Sequence, residues 1–230
     1  MDNLVQIIDS ENPSIVLSRT IPAGESFKLQ LINIDRNTDL VVTGKIEVEK
    51  GASLKFLQID LGRFNCRTDI VIRAQEGSEI TVHLDGMSEE MEEKLYRIDV
   101  VHPEPLSSSL ISMRGVCTDN SHMEFLSCSD IKKGAVKTHT RQDGKIVNLS
   151  GKARCSVSPS LLIAEEDVFA SHGASMGSVP DDDIFYLMSR GLSRRTAERL
   201  ITLGYLKPAC EMIQDSKTRE KALSLLEKLL

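Results

Sequence analysis

The chain has no tryptophan, three tyrosines and six phenylalanines, so only 4% of it is aromatic. That scarcity counts against a carbohydrate-active protein. Cysteine is also sparse: Cys66, Cys117, Cys128, Cys155 and Cys210 are odd in number, widely spaced and never arranged as CxxC. Neither a disulfide frame nor a zinc knuckle fits that pattern, and free thiols are expected. There is no basic excess. With a net charge of -6 and a pI near 5.5, the chain lacks the field needed to neutralise a nucleic acid or an anionic membrane. No apolar run approaches the roughly 18 residues that span a bilayer. The opening MDNLVQIIDSENPSIVL lacks a basic leader and a cleavage pattern, which predicts a cytoplasmic protein. Walker A, GxSxG and dinucleotide-binding glycine motifs are all missing. No nucleotide is expected to bind directly, any ATP hydrolysis must come from a partner, and the chain is expected not to be an enzyme.

What is present is a period-two pattern. From about Phe27 to Phe169, Phe27, Leu29 and Leu31 alternate with Lys28 and Gln30, and Ile80, Val82 and Leu84 alternate with Thr81 and His83. Such runs read as strands with one buried face. Between them recur Gly24-Glu-Ser-Phe, Gly51-Ala-Ser-Leu and Gly77-Ser-Glu-Ile and, more loosely, Asn120-Ser-His-Met and Gly134-Ala-Val-Lys. Glycine suits a corner with positive φ, and the small residues after it let the chain re-enter a strand. The spacing of about 26 to 27 residues matches a unit that stacks on its neighbours as a solenoid. A β-sandwich would show similar short strands, and the pattern alone leaves both open. The run Ser88-Glu-Glu-Met-Glu-Glu-Lys-Leu-Tyr lacks alternation and reads as a solvated excursion.

After Gly177 the period becomes helical. Asp181 to Asp183 suit a positive helix N-terminus, Ile184, Leu187 and Met188 share a face, and Gly191 is a stop. Ser193 is the expected N-cap of a second helix with Ala197, Leu200 and Ile201 as its apolar stripe, ending at Gly204. A last helix over roughly 218–229 places Ala222, Leu225, Leu226 and Leu229 on one side. The domain reading is therefore a β core over 1–177, its first twenty or so residues a cap, and a small helical domain over 178–230.

Two stretches carry a resemblance. Ala-Ser-His-Gly-Ala-Ser-Met-Gly at 170–177 and Asp-Asp-Asp-Ile-Phe-Tyr-Leu-Met-Ser-Arg-Gly-Leu at 181–192 closely resemble SufB and SufD, the iron-sulfur cluster assembly scaffolds of the SUF system. The resemblance implies a mainly β fold, a right-handed parallel β-helix, and so decides between solenoid and sandwich. It also implies that His172 lies near the interface between paired scaffolds and takes part in assembling a transient iron-sulfur cluster. Imidazole suits borderline metals such as iron. The flanking Ser171 and Gly173 are similar to SufD. The SufB cysteine that receives sulfur would fall near Gly144, where this chain has no cysteine; Cys155 is the second candidate thiol. The helical region in this family binds SufC, an ABC-type ATPase, which points to Arg190, Gly191, Arg194, Arg195 and Arg199 as a docking surface. The implied partners are that ATPase and either a second copy or a SufB-like chain. Compared with typical members, the chain is expected to be a short form without their N-terminal region.

Other readings are weaker. His83, His122 and His139 occupy polar strand positions and read as solvated, as do Glu165, Glu166 and Asp167. A noncatalytic module binding protein or nucleic acid through the arginine-rich hairpin is the alternative function, followed by a carbohydrate-active solenoid.

Overall fold

The computed structural model describes residues 2–8, 14–34 and 38–229. Thirteen strands are followed by three helices. The odd strands are β1 (Asp2–Ile8), β3 (Ser26–Asn33), β5 (Ser53–Asp60), β7 (Glu79–Ser88), β9 (Ser108–Cys117), β11 (His139–Asn148) and β13 (Phe169–Ser178). They form one sheet in that order. The even strands are β2 (Ser14–Ile21), β4 (Leu40–Val48), β6 (Cys66–Ala74), β8 (Glu93–His102), β10 (His122–Ile131) and β12 (Arg154–Ile163), and they form a second. Consecutive strands never pair with each other. Each pairs in parallel with the strand two places along, as in the register Phe27↔Leu54 and Leu54↔Ile80. That alternation defines a two-sheet parallel solenoid and excludes the sandwich of antiparallel hairpins. The first twenty residues, expected as a cap, hold β1 and β2 and extend both sheets.

The corners show why the repeat works. Gly24, Gly51 and Gly77 have φ of 72°, 64° and 65°, and each donates its backbone N–H to a carbonyl of the next coil. In the longer coils Leu106 and Lys137 take over the same corner at φ 64° and 57°. The backbone hydrogen-bond ladder through Gly77, Leu106 and Val136 thus holds residues in the left-handed region that their side chains disfavour.

Inward-facing side chains fill the solenoid: Leu31, Val42, Phe56, Ile70, Val82, Tyr96 and Phe125 are all at most 1% exposed. Tyr96 and Phe125 stack tilted at 5.6 Å. The facing Gly115 makes room for them, because a Cβ there would lie 2.3 Å from Met123 Sδ and 3.1 Å from Phe125. The charged stretch read as an excursion is corrected: only Glu89 to Glu92 form a turn, and β8 begins at Glu93. Lys94 and Tyr96, within that stretch, point into the core with no exposure.

Helix α1 spans Asp181–Ser189, α2 Arg194–Glu211 and α3 Ser216–Leu229. Ser193 caps α2 by accepting from Thr196 N, as expected, and Gly191 ends the first turn-back at φ 92°. The expected end at Gly204 is corrected, because α2 continues through Gly204 and Pro208. A mid-helix glycine costs about 1 kcal/mol and a proline about 3. Burial of Leu206, Ala209, Cys210 and Ile213, together with Ala222 and Leu226 of α3, offsets this. These side chains pack on the outer face of the odd-strand sheet, on Ile32, Leu57, Ile59, Met87 and Val116. Gln30 closes the clamp: its Nε2 donates to Met212 O at 3.0 Å and its Oε1 accepts from Gln214 N at 3.0 Å.

Candidate functional site

The last coil ends in two sheet edges. Strand β13 pairs only with β11 and β12 only with β10, so each leaves a row of backbone groups without a ladder partner among the described residues. No residue of β13 is buried, and Leu162, Ile163, Phe169 and Met176 stand 56%, 49%, 67% and 50% exposed. His172 is the fourth residue of β13, exposed, and registers with Gln142 of β11. It sits within the strand and not at the entry to α1. Phe169, three residues earlier, stacks on His139 at 4.7 Å.

Gly144 lies on the inward phase of β11. A Cβ there would come within 2.4 Å of Val157 Cγ1, so Val157 occupies the space a cysteine at that position would need. Cys155, the second residue of β12, is partly buried and packs against the core. Burial raises its thiol pKa, while hydrogen bonds from Cys117 and Asn148 act in the opposite sense. Among the described residues no three His, Cys, Asp or Glu side chains converge on a metal-sized point. His172 is exposed on the odd-strand sheet, whereas Cys155 packs against the core from the even one. His83 and His139 are on the odd-strand sheet and His122 on the even one, so the three do not share a face.

The arginines divide by what they touch. Arg190 caps the end of α1, with its guanidinium 5.3 Å from the Tyr186 ring centroid and 3.2 Å from the phenol oxygen. Arg194 reaches Asp181 at 3.9 Å and Glu198 at 3.7 Å, and Arg199 donates to Glu227 O at 3.0 Å. Arg195 is exposed and makes no ion pair among the described residues. Beside these arginines Phe185, Tyr186 and Met188 of α1 are 71%, 57% and 42% exposed. The half-buried Glu165 accepts from Gly134 N and from Glu166 N, which lowers its pKa and ties it to the corner.

Two buried polar groups escaped the reading of the residues. In the first, Asp60 accepts from Asn33 Nδ2 at 2.8 Å and from Tyr96 OH at 2.7 Å, and pairs with Lys94 Nζ at 3.3 Å. Lys94 also donates to Gly62 O at 2.6 Å, and both ionic side chains are fully buried. Desolvation, and secondarily the Asp60 charge, push the neighbouring Cys66 thiol well above its usual range. In the second, Gln142 donates to Ser160 O at 2.9 Å, which fixes its amide orientation, and to Ser129 Oγ at 2.7 Å. From Ser129 Oγ the chain runs on to Thr140 Oγ1, Ser109 Oγ and His102 Nε2, over distances of 2.7, 2.8 and 2.9 Å. On the other side of the ring, His102 Nδ1 meets Ser107 Oγ at 2.8 Å. Burial drops the His102 pKa to about 4, in keeping with a neutral ring. The sequence signal for this chain is weak, since serine and threonine in a period-two run read as outward.

The fold and the exposed features define a parallel β-solenoid with a helical tail clamped to one face and an unpaired sheet edge at its last coil. The profile described as SUF system FeS cluster assembly, SufBD core domain, matches residues 20–205, and the chain belongs to that family. Iron-sulfur cluster assembly protein SufD of Bacillus subtilis is 34% identical over 133 residues, covering 58% of this chain and 30% of that protein. SufD of Escherichia coli is 31% identical over 113 residues, covering 47% and 26%. An iron-sulfur cluster assembly SufBD family protein of Pyrococcus horikoshii is 42% identical over 60 residues, covering 26% and 14%. The chain thus matches about a third or less of the length of these relatives. Among the described residues no helix is long and apolar enough to cross a membrane.

Proposed function

We propose that the chain is a noncatalytic scaffold subunit of the SUF machinery whose helical hairpin docks a SufC-type ABC ATPase and whose last coil pairs with a second scaffold. The observation that carries the reading is the hairpin itself. It exposes Phe185, Tyr186 and Met188 on α1 and Arg195 on α2, while α2 is fastened to the solenoid through the Gln30 clamp and the apolar contacts beneath it. Interfaces concentrate their energy in such aromatic and arginine anchors. A helix held this firmly transmits a push from its partner to the strands below, so nucleotide-driven movement of the ATPase would shift the paired scaffolds.

The cluster is cargo. His172 on the open edge of β13 supplies one imidazole, and the remaining ligands come from the second scaffold, a copy of this chain or a SufB-like subunit. An unpaired edge strand is a ready template for such an addition. The test is co-purification with a SufC-type ATPase, followed by Arg195→Glu and Phe185→Ala in the same assay. At least tenfold weaker binding is expected for each, and a folded protein that ignores the ATPase overturns the docking. Anaerobic reconstitution of the complex with His172→Ala then reads the cluster by absorbance. An unchanged spectrum removes His172 from the ligands.

A further inference from the structure

On the outer face of the odd-strand sheet two lysines stand together without an acid between them. Lys28 of β3 and Lys55 of β5 are register partners, and Thr81 of β7 continues their row. Gln30, Leu57 and His83 form the next row on the same face. Neighbouring strands lie about 4.8 Å apart, so both ammonium groups can reach one small anion, and like charges placed opposite each other are destabilising. Basic residues on other strands are relieved by a carboxylate: Arg73 pairs with Glu47 at 3.5 Å, Arg97 with Asp99 at 2.9 Å and Arg141 with Asp143 at 3.7 Å. Lys28 and Lys55 have no ion pair or hydrogen bond among the described residues. Both line a groove of about 310 Å³ together with Gln30, Leu57, Thr81 and His83 of the sheet and Met212 and Gln214 of the joint between α2 and α3. Gln30 ties that joint to the sheet through Met212 O and Gln214 N, so the groove is formed before any ligand arrives.

We propose that this groove is a binding site for the phosphate group of a small phosphomonoester. Such a group carries nearly two negative charges at neutral pH, which Lys28 and Lys55 neutralise, and its oxygens accept from the Thr81 hydroxyl and from a His83 ring N–H. A carboxylate brings one charge and leaves one lysine unpaired. The carbon skeleton of the ester lies against Leu57 and Met212, in a space at the lower end of the roughly 300–1,000 Å³ typical of small-molecule sites. Among the described residues no carboxylate lines the groove. Glu79, two residues before Thr81 on the same face, makes no ion pair, and Asp85, two residues after His83, is buried. The His83 ring is half-buried, and desolvation, with the Arg114 charge second, lowers its pKa, so it meets the ligand as a neutral ring at pH 7.

The test titrates the full chain with inorganic phosphate and with glycerol 3-phosphate at constant ionic strength and follows backbone and side-chain NMR signals. Saturable shifts at Lys28, Lys55, Thr81 and His83 are expected, with a Kd below about 5 mM and the ester bound at least as tightly as phosphate. Lys28→Ala and Lys55→Ala each weaken binding about tenfold. Lys132→Ala, at a lysine already paired with Asp130, leaves it unchanged. Binding also raises the His83 titration, because an adjacent negative charge favours the imidazolium; the other charged groups about that ring are Lys28, Lys55, Arg114 and Asp85. Shifts that stay linear to about 50 mM, an unmoved His83 titration, or lysine variants that bind like the wild type overturn the proposal. A phosphoserine peptide that binds more tightly than the ester makes the carrier a protein and overturns the small-molecule assignment.

Discussion

Between β2 and β7 the interior is filled mostly by apolar side chains such as Ile21, Leu31, Val42, Phe56, Ile70 and Val82, with Gln58 and Thr68 as a buried polar pair, whereas between β8 and β13 Tyr96, Phe125 and Ile146 share it with His102, Ser109, Ser127, Ser129, Thr140 and Gln142. Apolar layers are held without direction, so most side chains in the first half contribute through area and shape. The second half adds a chain of hydroxyls, each with one proton to give. The boundary between them is marked by the Asp60–Lys94–Tyr96 cluster. Lengthening the coils toward the C-terminus therefore coincides with adding hydrogen bonds to an apolar core.

The sharpest way to break the comparison is at that boundary. Asp60→Ala leaves the Lys94 ammonium buried with a weaker set of partners, and an uncompensated buried charge costs about 3–5 kcal/mol. Urea unfolding of the variant is expected to show that loss. A loss below about 1 kcal/mol would mean that Glu92, 3.7 Å from Lys94, or water takes over the charge.

A smaller effect separates the outer and inner faces. Asp85 lies under α2 with an oxygen that has no hydrogen-bond partner, and desolvation raises its pKa from 3.8 to about 7 despite the opposing Arg114. The folded state then holds a proton that the unfolded chain has lost, so this group lowers stability as pH rises from about 4 to about 7. His102 acts in the opposite sense. Its folded pKa is depressed from 6.5 to about 4, so its contribution is intact above about 6.5 and is lost as pH falls toward 4. Asp85→Asn is expected to stabilise the protein more at pH 8 than at pH 5, by up to about 3 kcal/mol at 1.36 kcal/mol per unit over the two units from pH 5 to 7. It also exposes the acid limb due to His102. Glu92 rises to about 7 by desolvation too, so some fall toward neutral pH remains in the variant. Unfolding free energies across pH 4 to 8, in both proteins, check the signs.

How much of this could be read from the residues follows the same division. The coil repeat was legible because glycine at a positive-φ corner recurs with the strand period, and Ser193 and Gly191 announced the hairpin because capping chemistry is local. Lys94 was not legible, since a lysine among glutamates reads as solvated and only Asp60 of the other sheet, 34 residues away, makes it a core residue. The second buried face of β5, Leu57 to Asp60, was hidden for a related reason: period two shows one buried side, and the cover over the other comes from helices some 150 residues later. Gly204 misled because packing outweighs propensity when a helix lies against a sheet. For the candidate site, His172 and the arginines came from the resemblance, whereas the open edges of β12 and β13 follow from the strand order and leave no trace in spacing.

The smallest expected effect tests whether the hydroxyl chain behaves as a unit. Ser129→Ala removes the acceptor for one Gln142 N–H and a hydroxyl partner of Thr140, while Gln142 keeps Ser160 O and Ser127. A single lost buried hydrogen bond costs about 1–3 kcal/mol. If the chain is directional, Thr140 is left free to reverse its proton, and Ser109 no longer needs to donate to His102 Nε2. The ring then exchanges tautomers, and its protonation becomes easier. The variant is expected to lose about 1–2 kcal/mol by urea unfolding and to show a His102 titration shifted upward from about 4 in NMR. Equal loss with an unmoved His102 would mean that the hydroxyls act as separate pairs, and the two halves of the core would differ in composition but not in cooperativity.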